Sequence, residues 1–311
     1  MSQTLEHPSP LVVSGGAELD TSPEHFGELR PSIDALDHPE ELRRRMNTDG
    51  YLFLPGYLKR NEVLAARREV CQRLADAGQL APSTDIMDAI IDPDAKRSNF
   101  QPNLTLNNAP LHKLLYTGNM IAFYENFLGG PVRHFDFTWL RTVNPGKGTP
   151  SHCDSVYMNR GTQNLFTAWV PLGDIDFTLG GLMVLEGTNN HQRLRETYCA
   201  QDVDSYCENK PDAKSWGKSW GTPGWLQGEV NQIRRSIAGP QGRWLTTSFK
   251  AGDLLTFTIF TVHASMDNRS QNRIRLSSDS RYQLASEPAD ERWIGANPIG
   301  HSQAGKRGKI C

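Results

Sequence analysis

No run of apolar residues in the 311-residue chain approaches the roughly eighteen that a membrane-spanning helix needs. The N-terminus, Met1-Ser2-Gln3-Thr4-Leu5-Glu6, also lacks the basic and then apolar segments of a secretion signal. These absences predict a cytoplasmic protein with no membrane partner. An excess of one charge sign is missing too: 33 Lys and Arg face 35 Asp and Glu, which leaves no electrostatic footprint for nucleic acid. A small molecule is the partner that remains. Cysteine is sparse and odd in number, with five residues at 71, 153, 199, 207 and 311 and no CxxC spacing. That argues against a disulfide framework or a zinc ribbon. There is no internal repeat, and nothing here reads out an oligomeric state.

What is present falls into a helical lead-in followed by short strands. Residues 1–35 are rich in Pro, Ser, Gly and acidic residues without periodicity and read as a flexible N-terminal arm. From Asp37 the pattern changes. Pro39 to Met46 reads as a helix, Gly50 to Gly56 as a short strand, Lys59 to Ala77 as an amphipathic helix, and Leu111 to Phe127 as another helix ending at Gly129-Gly130. Thereafter the strand-like runs are 135–143, 155–158, 164–172, 182–185, 254–262 and 273–283. This order predicts an α+β, mainly β protein, a sandwich or barrel with N-terminal helices packed on it, occupying residues 36–290 as one domain. A polar, Trp-bearing stretch at about 190–250 with Trp216, Trp220, Trp225 and Trp244 reads as a lid-like insertion. Residues 291–311 read as a solvated C-terminal tail.

The chemistry concentrates in Ser151-His152-Cys153-Asp154. Side chains at i and i+2 of a strand leave the same face, so His152 and Asp154 can converge on one point while Cys153 points away. His263, at the end of a β-branched and aromatic run, is the candidate third ligand. Two histidines and a carboxylate form the facial triad that holds non-haem ferrous iron and leaves other coordination positions open. Past His263, the run Arg273-Ile274-Arg275-Leu276-Ser277 alternates, which sets Arg273, Arg275 and Ser277 on one face. A guanidinium facing a core needs an anion. Either an internal Asp or Glu, or a dicarboxylic cosubstrate beside the iron, would supply it.

In order along the chain, Asp49 to Gly56, His152-Cys153-Asp154, Ala168-Trp169-Val170-Pro171-Leu172, Gly180 to Thr188, Ala251-Gly252-Asp253, His263-Ala264-Ser265 and Asn268-Arg269-Ser270 before Arg275 form a series. Over residues 47 to 285 this series resembles the phytanoyl-CoA dioxygenase family of Fe(II)- and 2-oxoglutarate-dependent oxygenases. The resemblance implies a double-stranded β-helix, a cupin-like jelly roll. It implies that His152, Asp154 and His263 hold iron, that Arg275 clamps the distal carboxylate of 2-oxoglutarate, and that Trp169 lies against the cosubstrate. The spacing after His263 is one residue longer than in relatives, so Arg273 is the alternative clamp. The implied reaction consumes O2, converts 2-oxoglutarate to succinate and CO2, and oxidises a C–H bond. An aspartate at position 154 points to hydroxylation rather than halogenation. Tyr157, Met158 and Arg160, just past the metal pair, are the candidate substrate contacts. Two other readings stay open: an iron oxygenase that does not use 2-oxoglutarate, and a non-catalytic binding protein on the same scaffold.

Overall fold

The computed structural model describes residues 11–95, 101–209 and 224–310. The chain opens with a hairpin of β1 (Val13–Ser14) and β2 (Ala17–Glu18), then β3 (Phe26–Glu28). Helix α1 (Pro39–Asp49) starts on Pro39, whose missing N–H costs nothing in a first turn, and carries Glu40 and Glu41 at its positive end. It stops at Gly50, which takes the left-handed conformation (φ 83°), and β4 (Tyr51–Leu54) follows. Helix α2 (Arg60–Asp76) buries Val63, Ala66, Val70 and Leu74. The single helix expected over 111–127 is two: α3 (Ala109–Tyr116), capped by the Asn108 side chain, and α4 (Asn119–Leu128). Gly118 (φ 56°) makes the break.

The later strands are β5 (Val132–His134), β6 (Trp139–Val143), β7 (Phe166–Pro171), β8 (Leu182–Leu185), β9 (Ser205–Cys207), β10 (Trp244–Thr246), β11 (Leu254–Thr258), β12 (His263–Ser265), β13 (Arg275–Leu284) and β14 (Arg307–Lys309). The larger sheet runs β4-β11-β7-β13, with β6 and β5 sharing the far edge of β13. A smaller sheet runs β12-β8-β10-β3. Alternation sorts the larger sheet's two faces. Leu52, Leu54, Ala168, Val170, Leu254, Leu276 and Tyr282 pack against helices α1 to α4, whereas Tyr51, Phe53, Trp169, Leu255 and Phe257 meet Leu182, Val184 and Leu245 of the smaller sheet. The molecule is thus mainly β, two sheets with helices on one outer face. Among the described residues no helix is long and apolar enough to cross a membrane.

Four expectations need correction. Residues 11–35 are not a free arm: Val12 and Leu19 are buried, β3 pairs with β10, and the Gly15 and Gly16 amides donate to Asp267. Residues 155–158 are no strand, because the chain turns into a 3-10 helix at Asp154–Val156. The segment at 190–250 is not only a lid: β10 is an interior strand of the smaller sheet, and a helix, Val230–Ala238, packs beside it through the Trp244 indole N–H to the Val230 carbonyl. Trp216 and Trp220 lie outside the described residues. Nor is the C-terminal segment merely solvated, since Trp293 is 1% exposed and β14 pairs with β9. Its anchorage is ionic, which hydrophobic periodicity does not register.

Candidate active site

Two backbone hydrogen bonds, His152 N–H to the His263 carbonyl (3.0 Å) and His263 N–H to the His152 carbonyl (2.9 Å), lock the 150s segment against β12. They bring together two residues 111 positions apart in sequence, with ring centroids 4.2 Å apart. Each ring donates its Nδ1–H to a main-chain carbonyl, His152 to Pro150 (2.8 Å) and His263 to Thr261 (3.1 Å). That fixes the tautomer and turns both Nε2 lone pairs inward. Asp154 completes the set: its Oδ1 lies 3.8 Å from each Nε2, and the three residues form a cluster able to hold a metal ion. Its other oxygen, Oδ2, accepts from the Thr167 hydroxyl (2.5 Å) and from Arg281 Nη2 (2.9 Å).

The electrostatics suit a cation. Burial, reinforced by the mutual proximity of the rings, pushes His152 down to about 3, and burial likewise lowers His263, so both imidazoles are neutral ligands. Burial alone would raise Asp154, but Arg281 and the two histidines outweigh it and hold the carboxylate well below its ordinary range.

The floor of the site is the inner face of β13, where alternation aligns Arg275, Ser277, Asp279 and Arg281. Arg281 bridges Asp154 and Asp279 (3.1 Å) and stacks on Trp139, 4.6 Å from the ring centroid. Arg141 of β6 meets Asp279 through two parallel bonds of 3.0 and 2.8 Å. Arg275 is different. It is 1% exposed, and its Nε and Nη1 have no hydrogen-bond partner among the described residues. Burial and the nearby Arg141 push it down to about 10. It lines a narrow cavity together with Trp169, Leu182, Phe257 and His263. A second cavity, of about 600 Å³, is lined by His152 and Asp154 and walled by Phe137, Trp139, Tyr157, Met158, Trp293 and Ile299.

Residues 46–277 match the phytanoyl-CoA dioxygenase family. The chain belongs to that family. Over 266 residues it is 26% identical to 1-deoxypentalenic acid 11-beta-hydroxylase of Streptomyces exfoliatus, covering 81% of this chain and 83% of the relative. Among solved structures it is similar to the epimerase SnoN in complex with Fe3+, alpha-ketoglutarate and nogalamycin RO, with a TM-score of 0.55, 20% identity, and 84% of this chain and 93% of that one covered. It is also similar to EctD from S. alaskensis with 2-oxoglutarate and 5-hydroxyectoine, with a TM-score of 0.56, 16% identity, and 91% of this chain and 95% of that one covered. At those identities the structural likeness is one of fold.

A phytanoyl-CoA dioxygenase family member of this kind is an enzyme that uses Fe(II), 2-oxoglutarate and O2, and the donor set fits. Two neutral imidazoles and one carboxylate suit non-haem iron, and a buried guanidinium whose Nε and Nη1 have no partner among the described residues suits a carboxylate. Of the two arginines considered for that carboxylate, only Arg275 faces the dioxygenase's narrow cavity. Arg273 is half-buried in the turn before β13, where its carbonyl accepts from Asn268 and Ser270. The strand begins at Arg275, so parity does not reach back to Arg273. Trp169 lines the same cavity as Arg275. Tyr157 and Met158 line the large cavity, but Arg160 does not: its side chain is ion-paired to Asp202 (2.9 Å). The 3-10 turn at 154–156 redirects the chain and carries Arg160 off the cavity wall. Sequence reasoning missed Thr167, Arg141, Asp279 and Arg281. Extending the parity of β13 by two more steps would have found Asp279 and Arg281.

Proposed function

We propose that this enzyme hydroxylates an unactivated C–H bond of a bulky, largely apolar small molecule held in the large cavity. The single observation that carries this is His152, which lines both a narrow cavity containing Arg275, whose Nε and Nη1 have no partner among the described residues, and an aromatic cavity of about 600 Å³. That volume lies within the usual range for small-molecule sites, and the walls are apolar with few polar anchors. The hydroxylation outcome rests further on the relative named for hydroxylating 1-deoxypentalenic acid. We read the two sheets and their crossovers as a double-stranded β-helix, a jelly roll, with the metal site between the sheets.

His152, Asp154 and His263 would hold the iron, and Arg275 would take the distal carboxylate of 2-oxoglutarate with Trp169 and Phe257 beside it. When bound, iron and 2-oxoglutarate supply the oxidising chemistry: O2 is consumed, succinate and CO2 leave, and one oxygen atom enters the substrate. The chain's own residues prepare for this. Thr167 and Arg281 occupy Asp154 Oδ2 and so leave Oδ1 for the metal. Trp139, held under Arg281, and Trp293 exclude water from the cavity side. Tyr157 and Met158 form the wall nearest His152 and set how closely a substrate carbon approaches.

Anaerobic titration with Fe(II) and then 2-oxoglutarate, following the weak visible band of the chelate, tests the roles. Wild type should give the band, Asp154→Ala should lose most of it, and Arg273→Ala should leave it unchanged. Arg275→Ala should need roughly tenfold to a hundredfold more 2-oxoglutarate, the size of a lost charged hydrogen-bonding partner. Iron binding without any band in wild type would point instead to an oxygenase that does not use 2-oxoglutarate. Equal effects of the two arginine variants would remove the assignment of Arg275.

A further inference from the structure

The charged side chains lining the two cavities do not cancel. Arg141, Arg275 and Arg281 face Asp154 and Asp279, three cations against two anions, and each ligand histidine gives its Nδ1–H to a main-chain carbonyl and keeps Nε2 for the metal. A divalent iron and a 2-oxoglutarate dianion cancel each other and leave that excess of one positive charge untouched. Elsewhere, buried guanidiniums that meet no carboxylate are held by main-chain carbonyls, Arg67 by those of Met87 and Leu172 and Arg234 by that of Gly242. Beneath the C-terminal segment Asp202 and the buried Asp204 and Asp290 meet Arg160, Arg292 and Lys306, with His301 also on Asp204. An uncompensated charge in a low-dielectric site is costly. Its persistence at the active site implies that the missing anion arrives with the substrate.

Geometry identifies the cation that waits for it. Arg275 lines only the narrow cavity and serves the cosubstrate. Arg281 spends both terminal nitrogens on Asp279 and Asp154. Arg141 gives Nε and Nη2 to Asp279, while its Nη1 has no partner among the described residues. Its side chain is 35% exposed, against 9% for Asp279, 4% for Asp154 and 2% for Arg281. Arg141 lines the large cavity together with Trp139 and Phe137, and the narrow one as well. Resting on the functional reading above, we propose that the substrate is a monoanion, an apolar body bearing one carboxylate, and that Arg141 is the residue that binds the carboxylate and selects for it. Pairing with Asp279 holds the guanidinium plane still, so the anion fixes which face of the apolar body is turned toward the metal site.

The test uses the holoenzyme, loaded anaerobically with Fe(II) and saturating 2-oxoglutarate so that Arg275 is already occupied. The probes are two cages of equal shape, 1-adamantanecarboxylate and 1-adamantanecarboxamide, with binding followed by calorimetry. Wild type should bind the carboxylate roughly tenfold to a hundredfold more tightly than the amide. Arg141→Gln should erase the preference and leave 2-oxoglutarate binding unchanged, and Arg141→Lys should keep part of the preference. Asp279 stays paired with Arg281 in both variants, and a thermal melt checks that they fold. The proposal is overturned by an absence of preference in wild type, or by a preference that survives in Arg141→Gln. It also fails if the carboxylate probe displaces the chelate band, or if 2-oxoglutarate affinity falls in Arg141→Gln as far as probe affinity does, because Arg141 would then serve the cosubstrate. Failure of wild type to form the chelate at all would remove the iron and 2-oxoglutarate reading itself and this inference with it.

Discussion

Among the candidate iron ligands, His152 is held furthest below its ordinary value. Burial beside a second imidazole lowers it from 6.5 to about 3, so between those values the unfolded chain holds a proton that the folded chain does not. The unfolded state binds more protons there, and stability must therefore rise with pH across that window and fall as pH drops below about 6.5. Asp154 acts in the same direction but lower. Its carboxylate is held below the ordinary 3.8, so its contribution is present above that value and is lost as pH falls beneath it. The metal-free enzyme should accordingly lose stability by about 1 kcal/mol per pH unit once below the ordinary histidine value. In His152→Gln the decline between pH 6.5 and 5 should be visibly shallower. Thermal melts of both proteins at three pH values check this, and parallel slopes would show that His152 is not the group responsible.

At the scale of elements, the site depends on how closely the segment before His152 lies on β12. Gly148 makes that approach possible. A Cβ built there would sit 2.5 Å from the backbone carbonyls of both Ser265 and Met266, atoms that cannot rotate away. Gly148→Ala should push the 150s segment off β12, lower stability by about 1–3 kcal/mol, and weaken iron binding through the displaced His152. Anaerobic iron titration decides it, and unchanged affinity would mean that the loop yields without moving the ligand. The same elements show which features a sequence can display. The start of β13 was legible because Arg275-Leu276-Ser277 alternates polar with apolar before Ser278 and Ser280 interrupt the outer face, and Leu182–Leu185 because it is a short apolar run between turns. The ligand pair was legible at i and i+2 although the strand assumed for it is a bridge followed by a 3-10 turn, because that turn still directs Asp154 toward the two Nε2 atoms. β10 was not legible. Three residues within a polar, glycine-rich stretch have no period, and only pairing with β8 and β3 makes them a strand. Thr167 was illegible as well, since nothing local distinguishes a threonine that holds a carboxylate from any other strand threonine.

For the molecule as a whole, the far wall of the large cavity comes from the last twenty residues, which the helices and sheets do not themselves require. Trp293, Ile299 and His301 stand in the wall, and they are held there by charge. Arg292 is fully buried and reaches Asp290 (2.5 Å), Asp204 (2.7 Å) and Asp202 (3.2 Å), while His301 donates to Asp204 at 2.7 Å. The segment is therefore latched onto the loop that carries Asp202 and Asp204, whereas the iron ligands are fixed by β12 and the 150s segment. The two functions should separate. Arg292→Met removes the central cation and leaves Asp290 and Asp202 short of a partner, a change of about 3–5 kcal/mol when a buried pair is broken. It should lower the melting temperature and loosen the wall, so that the adamantane probes bind at least about tenfold more weakly. The chelate band with Fe(II) and 2-oxoglutarate should keep its intensity and its 2-oxoglutarate dependence, because none of its residues touches Arg292. If band and probe binding fall together, the C-terminal segment is part of the metal site's support rather than a separate wall for the substrate.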